Sequence, residues 1–260
     1  MSQTNAAATP ITSRDNPLLK ELRKLNEDNT AYRKLGRYWV EGDHLCSAAL
    51  ARGLRPALAV YSEAFWPKAP MEYAGAAIKN IVIPPALFKE LSGLESPAQV
   101  GFVIDLPEAA PIAPQAATVI LDRVQDAGNV GSILRSAGAF GFKQVLALKG
   151  TAALWSPKVL RAGMGAHFGL KLVEGLTLKD LNALQVPLVV TSSHQGDLLQ
   201  NLQLPHPCAW AMGHEGQGVS TDLMARAAHF ARIGQPGGEE SLNVAAAAAI
   251  CLHASTLGQH

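Results

Sequence analysis

Six short apolar runs crowd the second half of the chain: TVILDRV, QVLALKG, LKLVEG, PLVVTSS, CAWAMGH and HFARIG, with helical segments between them. Their Val, Ile, Leu and Ala residues follow one another with little polar alternation. A strand with one wet face does not carry that pattern, whereas a strand covered on both faces requires it. The runs predict an α/β domain over 118–260, a mostly parallel sheet with helices on both faces. Ligands of such a sheet bind beyond the carboxyl ends of its strands, so the loops that follow the runs are where chemistry is to be sought.

The first half is organised differently. Asn16-Pro17 followed by LLKELRKL reads as a helix start, with Leu18, Leu19, Leu22 and Leu25 on one side and Lys20, Arg23 and Lys24 on the other. RYWVEGDHLCSAALARG reads as a strand, a turn at Gly42 and a helix ending at Gly53. ALAVYSEAF and NIVIPP are further strands, PPALFKELSG a helix and VGFVI a last strand, which predicts a small α/β domain at 1–106. Between the halves, PEAAPIAPQAA at 107–117 is rich in proline and nearly uncharged, the composition of a linker.

Apolar residues make up 48% of the 260, charged residues 17%, and the net charge is +1. That balance excludes strong indiscriminate affinity for nucleic acid, which needs a dense positive surface. A modest basic bias lies near the N-terminus. Arg14, Lys20, Arg23, Lys24, Arg33, Lys34 and Arg37 are candidates either for phosphate contact or for an ordinary solvated helix face. Cys46, Cys208 and Cys251 are odd in number, apolar in their surroundings and without metal-ligand spacing, which suits reduced cytosolic thiols. No apolar leader opens the chain and no run is long enough for a membrane span, so a cytoplasmic protein without membrane contact is expected.

Four windows could carry chemistry. After TVILDRV come Gln125, Asp126, Gly128, Asn129 and Gly131, then a helix bearing Arg135. Asn129 is a candidate cap, and Arg135, among small residues, needs an anion, a ring of carbonyls or an internal ion pair. SPKVLRAGMGAHFG, at 156–169, puts Pro157 in a helix's first turn and Arg161 ahead of Gly163 and Gly165, and it also reads as plain helix-to-strand punctuation. AMGHEGQGVS, at 211–220, sets Gly213, Gly216 and Gly218 around His214 and Glu215, and glycines let a backbone close on a ligand. Its spacing is not the dinucleotide fingerprint.

In the fourth window, IGQPGGEESLNVAAAAA, Ser241 or Asn243 either caps the apolar helix that follows or supports a ligand. Two glycine-rich turns without a lysine favour a flat ligand with polar edges, such as a purine, over a polyphosphate. No His, Cys and Asp grouping has metal spacing, so no metal is expected. Ser192, Ser193 and His194 lack the Gly-x-Ser-x-Gly elbow of a hydrolase.

These windows, in this order, resemble the SpoU/TrmH family of RNA ribose 2'-O-methyltransferases, part of the SPOUT superfamily. DRVQDAGNVGSILRSAGAFGFK, at 122–143, is similar to the family's first motif, 211–220 to its second and 233–246 to its third, with RAGMGAHF similar to an Arg-x-Ser-x-Gly-Ala segment between them. ITSRDNPLLKEL and VEGDHL are similar to the N-terminal substrate-binding domain of two-domain members, whose fold is L30e-like. The chain departs from the family pattern at His214, where Asn is usual, and at Gly234-Gln235, Gly163-Met164-Gly165 and Ala245-Ala246.

The resemblance implies a SPOUT-type sheet threaded into a deep trefoil knot, which general fold rules argue against. It implies a homodimer in which two subunits complete each site, and S-adenosyl-L-methionine as cofactor. The cofactor would lie against Met212, Gly213, His214, Glu215 and Gly216, against Ile233, Gly234 and Gln235, and against Ser241, Leu242, Asn243 and Val244. Arg135 would contact the target phosphate or help activate the ribose 2'-hydroxyl, with Asn129, Glu215, Ser241 and Asn243 as the supporting catalytic shell. Arginine stays charged and is a poor base, so an electrostatic role is expected of it. Glu215 is expected to hold Arg135 or another donor in place. The implied substrate is structured RNA, 23S ribosomal RNA in the first place, met by the N-terminal domain through shape and phosphates. A tRNA 2'-O-methyltransferase and a weakly active or non-catalytic RNA binder of the same family are the alternatives.

Overall fold

The computed structural model describes residues 7–192, 195–237 and 242–257. The chain divides into two compact units, one holding the chain up to Glu108 together with Trp155–Phe168, the other holding Ala109–Leu154 and the chain from Gly169 onward.

The first unit contains β1 (Thr9–Pro10), α1 (Pro17–Glu27), α2 (Ala31–Leu35), β2 (Arg37–Glu41), α3 (Asp43–Ala51), β3 (Leu58–Ser62), α4 (Met71–Ala76), β4 (Lys79–Ile83), α5 (Pro85–Leu91) and β5 (Val100–Asp105). Its sheet runs β1-β4-β3-β5-β2, with β5 antiparallel to both neighbours and the other pairs parallel. Asn16 caps α1 by accepting the Leu18 N–H, and Pro17 sits where its missing N–H is not needed. Leu19, Leu22 and Leu25 are buried beneath it. Gly42, at φ 92, makes the turn from β2 into α3. The Trp39 ring covers Gly101, leaving no room there for a Cβ.

The chain continues with β6 (Thr118–Asp122), α6 (Ala127–Ala139), β7 (Gln144–Leu148), α7 (Pro157–Gly163), β8 (Lys171–Leu176), β9 (Leu188–Thr191), β10 (Asp197–Leu198), β11 (Ala209–Gly213), α8 (Thr221–Met224), β12 (His229–Arg232) and α9 (Val244–Ala254). Of these, α7 belongs to the first unit. The sequence reading kept Trp155–Phe168 with the second domain. It packs in the first because the Trp155 ring lies 4.6 Å from Tyr38, a pairing between residues distant in sequence that no local pattern announces.

All pairs in the seven-stranded sheet of the second unit, β10-β12-β9-β11-β6-β7-β8, are parallel, as the continuous apolar runs predict. Successive side chains alternate between faces. Ile120, Leu146, Val190, Ala209 and Ala211 pack with Leu181 and with Leu223 of α8. Trp210 points the other way, toward α9, and its Nε1–H donates to Ser255 Oγ at 2.8 Å. From Ala109 the expected linker is seated in this unit: the Ala113 N–H donates to Gln144 Oε1 at 2.7 Å and the Gln185 N–H to the Pro114 carbonyl at 2.9 Å.

Chain order reverses around β6. The chain leaves β6 for β7 and β8 on one side and returns to β9 and β11 on the other. The carboxyl ends of β6 and β11, where Asp122 stands opposite Gly213, therefore flank the crevice in which such sheets bind ligands. Cys46, Cys208 and Cys251 are buried free thiols, and burial pushes Cys208 up to about 11 and Cys251 up to about 12, which leaves them unreactive. Among the described residues no helix is long and apolar enough to cross a membrane.

Candidate active site

The strand β6 ends in a carboxylate. Asp122 is 2% exposed, and a buried charge needs partners. Its Oδ1 accepts from Arg123 Nε at 3.1 Å and its Oδ2 from the Ser220 N–H at 2.6 Å. Arg123 follows in the left-handed region, at φ 61, and its N–H donates to Thr151 Oγ1 at 3.1 Å. Arg123 Nη1 reaches across to Gln217 Oε1 at 2.8 Å. The sequence reading passed over Asp122, Arg123, Gln217 and Ser220. The one signal it held was a carboxylate closing an apolar run, which had to find buried donors.

Glu215, Asn129 and Asn243 come together, as the family resemblance implies. Glu215 Oε1 accepts the Asp126 N–H at 3.0 Å and Asn129 Nδ2–H at 3.2 Å, and Oε2 accepts the Gln125 N–H at 3.2 Å. Asn129 Oδ1 in turn accepts from Asn243 Nδ2 at 3.0 Å. One chain of hydrogen bonds thus joins the loop after β6, the turn after β11 and the start of α9. Partial burial pushes the Glu215 pKa up, but the donors from Asp126, its own main chain, Asn129 and Gln125 together pull it below the usual carboxylate value. Glu215 is therefore a carboxylate held in its charged form, and a poor proton acceptor.

Two local expectations change. Asp126, not Asn129, caps α6, its Oδ1 accepting the Asn129 N–H at 2.7 Å. The Asn129 side chain is thereby free to link Glu215 and Asn243. Arg135 lies about two turns into α6, exposed, and rotated roughly 120° around the helix from Asn129 at 100° per residue. Among the described residues it has no ion-pair or hydrogen-bond partner, so Glu215 holds Asn129 and two main-chain donors rather than Arg135. Ser241 lies outside the described residues. Asn243 is the α9 cap: its Oδ1 accepts the Ala245 and Ala246 N–H groups at 2.9 and 3.2 Å.

The turn after β11 is closed on itself. His214 and Gly218 exchange main-chain hydrogen bonds at 3.0 and 2.8 Å, and a Cβ on Gly213 would run into the Gly218 and Val219 main chain. His214 Nδ1 accepts the Gly216 and Gln217 N–H groups at 3.0 and 3.2 Å, so Nδ1 is the unprotonated ring nitrogen. Ile233, Gly234 and Gln235 leave the end of β12 outside any helix or strand, and among the described residues their main chain forms no main-chain hydrogen bond. Leu242 is 40% exposed. Main-chain groups without main-chain partners among the described residues can meet the polar edges of adenosine, and no lysine among these residues grips a phosphate.

Five of the seven basic candidates near the N-terminus have internal partners. Glu90 pairs with Arg14 at 2.7 Å and Arg23 at 3.3 Å, Asp15 with Lys20 at 3.2 Å, and Arg37 lies 3.6 Å from Glu21 and 3.4 Å from Asp105. Arg33 Nε donates to Tyr32 Oη at 3.2 Å. Lys24 and Lys34 form no salt bridge among the described residues. Exposed pairs such as Lys20 with Asp15 are weak in water, so they leave the charge open to exchange for a phosphate.

Residues 116–253 match the SpoU rRNA Methylase family, and residues 16–101 match the MRM3-like substrate binding domain. The 23S rRNA (guanosine(2553)-2'-O)-methyltransferase RlmP of Bacillus subtilis is 30% identical over 94% of this chain and 97% of its own length. A solved structure from Porphyromonas gingivalis, described as a putative RNA methyltransferase of the TrmH family, is 29% identical, covers 93% of this chain and 97% of that one, and superposes with a TM-score of 0.80. An AdoMet-bound rRNA methyltransferase from Sinorhizobium meliloti is 26% identical over 96% of this chain and 97% of that one, with a TM-score of 0.83.

Proposed function

The chain belongs to the SpoU rRNA methylase family, and on that premise we propose that it transfers a methyl group from S-adenosyl-L-methionine to a ribose 2'-hydroxyl of large-subunit ribosomal RNA. The observation that carries this reading is the Glu215–Asn129–Asn243 chain at the crevice between β6 and β11, which ties three loops into one wall. The cofactor would be held by main-chain groups of 212–216, 233–235 and 242–244, with Ser241 assigned to the same wall by resemblance alone. It supplies an electrophilic methyl on a sulfonium, whose departure needs no acid.

The protein's share of the work is placement and charge. An arginine beside a target phosphate anchors the RNA and lowers the cost of charge on the attacking oxygen. Arg135, exposed and without an internal partner among the described residues, has its guanidinium available for that role. Glu215, held as an anion by four donors, keeps the turn and the α6 start in register and does not serve as the base. Orienting a poor nucleophile toward the methyl carbon supplies much of the remaining acceleration.

The N-terminal domain would meet folded RNA through shape and phosphates, with Arg14, Lys20, Arg23, Lys24, Arg33, Lys34 and Arg37 as its contacts. A homodimer and a knotted fold of the catalytic unit complete the proposal, as does a cytoplasmic location. The dimer is supported by α9, which is apolar except for His253 while Ile250, 42% exposed, and Leu257 beyond its end, 68% exposed, face solvent.

Calorimetric titration with S-adenosyl-L-methionine tests the assignment. One site per chain is expected, with affinity unchanged in Arg135→Ala and methyl transfer lost in that variant. A folded protein that binds no cofactor at millimolar concentration would overturn it.

A further inference from the structure

Beyond the residues of that reading, the geometry points to Arg123 as a positioning residue that fixes the turn at 213–218 for the cofactor, an inference that rests on this turn being part of the S-adenosyl-L-methionine site. The backbone at Arg123 is left-handed, φ 61, a conformation that suits glycine and disfavours a long side chain. An arginine there has to be held by what its side chain touches. Its stem lies against Gly150, where a Cβ would come within 3.1 Å of Arg123 Cγ. Its Nε–H is fixed by the buried Asp122 carboxylate, and its Nη1–H ends on Gln217. The head group is thus aimed by a buried partner before it reaches the turn.

The turn itself is a closed body. The His214–Gly218 pair and the two N–H groups on His214 Nδ1 fix its internal shape but not its place in the crevice. Three outside contacts do that. Glu215 is tied to the start of α6, Ser220 to Asp122, and Gln217 to Arg123. Glu215 and Gln217 flank Gly216, so Arg123 holds one side of the turn while Asn129 and the main chain of 125–126 hold the other. Releasing the Gln217 side lets the turn pivot on Glu215, and the main-chain groups that meet the cofactor shift with it.

A double-mutant cycle on the full chain decides the matter, read as S-adenosyl-L-methionine affinity by calorimetry and as the melting midpoint without ligand. Arg123→Gly accepts φ 61 freely but strips the buried Asp122 carboxylate of a donor, so the midpoint is expected to fall while Kd weakens about fivefold, the size of one lost hydrogen bond. Gln217→Ala is expected to weaken Kd equally, the double variant no further, and Arg123→Lys to recover part of the loss. Single variants within twofold of wild type, or losses that multiply in the double variant, would overturn the role. If Arg123→Gly does not fold, Gln217→Ala alone carries the same decision. Hydrogen exchange of 211–220 in the wild-type protein separates the premise from the inference. Slowed exchange on adding S-adenosyl-L-methionine keeps the turn in the cofactor site whatever the variants do, and unchanged exchange removes the premise itself.

Discussion

His214 stands where the family it resembles carries asparagine, and the exchange keeps an acceptor at one place. Histidine Nδ1 and asparagine Oδ1 are both bonded to Cγ, so either can take the Gly216 and Gln217 N–H groups. His214→Asn should therefore leave cofactor affinity within about twofold, whereas His214→Ala strips two main-chain donors of their acceptor and should weaken it roughly tenfold; calorimetry distinguishes the two. Glu215 carries a pH dependence of definite sign. Its folded pKa lies below the unfolded value, so its contribution to stability is full above the ordinary carboxylate pKa and is lost as pH falls through the folded value. The difference in melting midpoint between wild type and Glu215→Gln should be largest near neutrality and shrink in that acid window. At this scale the grouping of Asn129, Glu215 and Asn243 was legible through the family resemblance. Asp122 and Arg123 were not, because the resemblance assigns them no role and only the fold brings Ser220 and Gln217 to them.

The elements were mostly legible, for physical reasons that differ between the halves. The second sheet declared itself through apolar runs buried on both faces, and α1 through its Asn-Pro start and leucine stripe. The polar cluster ahead of α9 poses a question that the structure answers twice over, since Asn243 both caps the helix and grips Asn129. The α6 start was misjudged by three residues because Asp126 and Asn129 are both good caps, and only the folded backbone shows which one turns in. Gly101 has a stricter requirement than any sequence pattern reveals. The Trp39 ring covers it, is 3% exposed and is tethered to Glu41 Oε2 at 3.2 Å, so it cannot retreat. Gly101→Ala should cost about 1–3 kcal/mol by overpacking, measured as a shift in denaturant midpoint.

For the whole molecule, family membership supplies what periodicity could not, since a cofactor leaves no signature in hydrophobic spacing. The segment Trp155–Phe168 shows the same limit, since aromatic packing draws it into a unit that chain order does not suggest. If α9 provides the dimer face, Ile250→Glu should yield monomers in sedimentation and lose methyl transfer while keeping its helical content. The central claim is the transfer of a methyl group to a ribose 2'-oxygen, and one measurement reaches it directly. Purified chain is incubated with methyl-labelled S-adenosyl-L-methionine and unmodified large-subunit ribosomal RNA, and the RNA is then digested in alkali. A methylated 2'-oxygen cannot attack its phosphate, so the account predicts label retained in an alkali-resistant dinucleotide, absent with Arg135→Ala although that variant still binds the cofactor. Label released as mononucleotide, or no label in RNA from a folded chain that binds S-adenosyl-L-methionine, would contradict it.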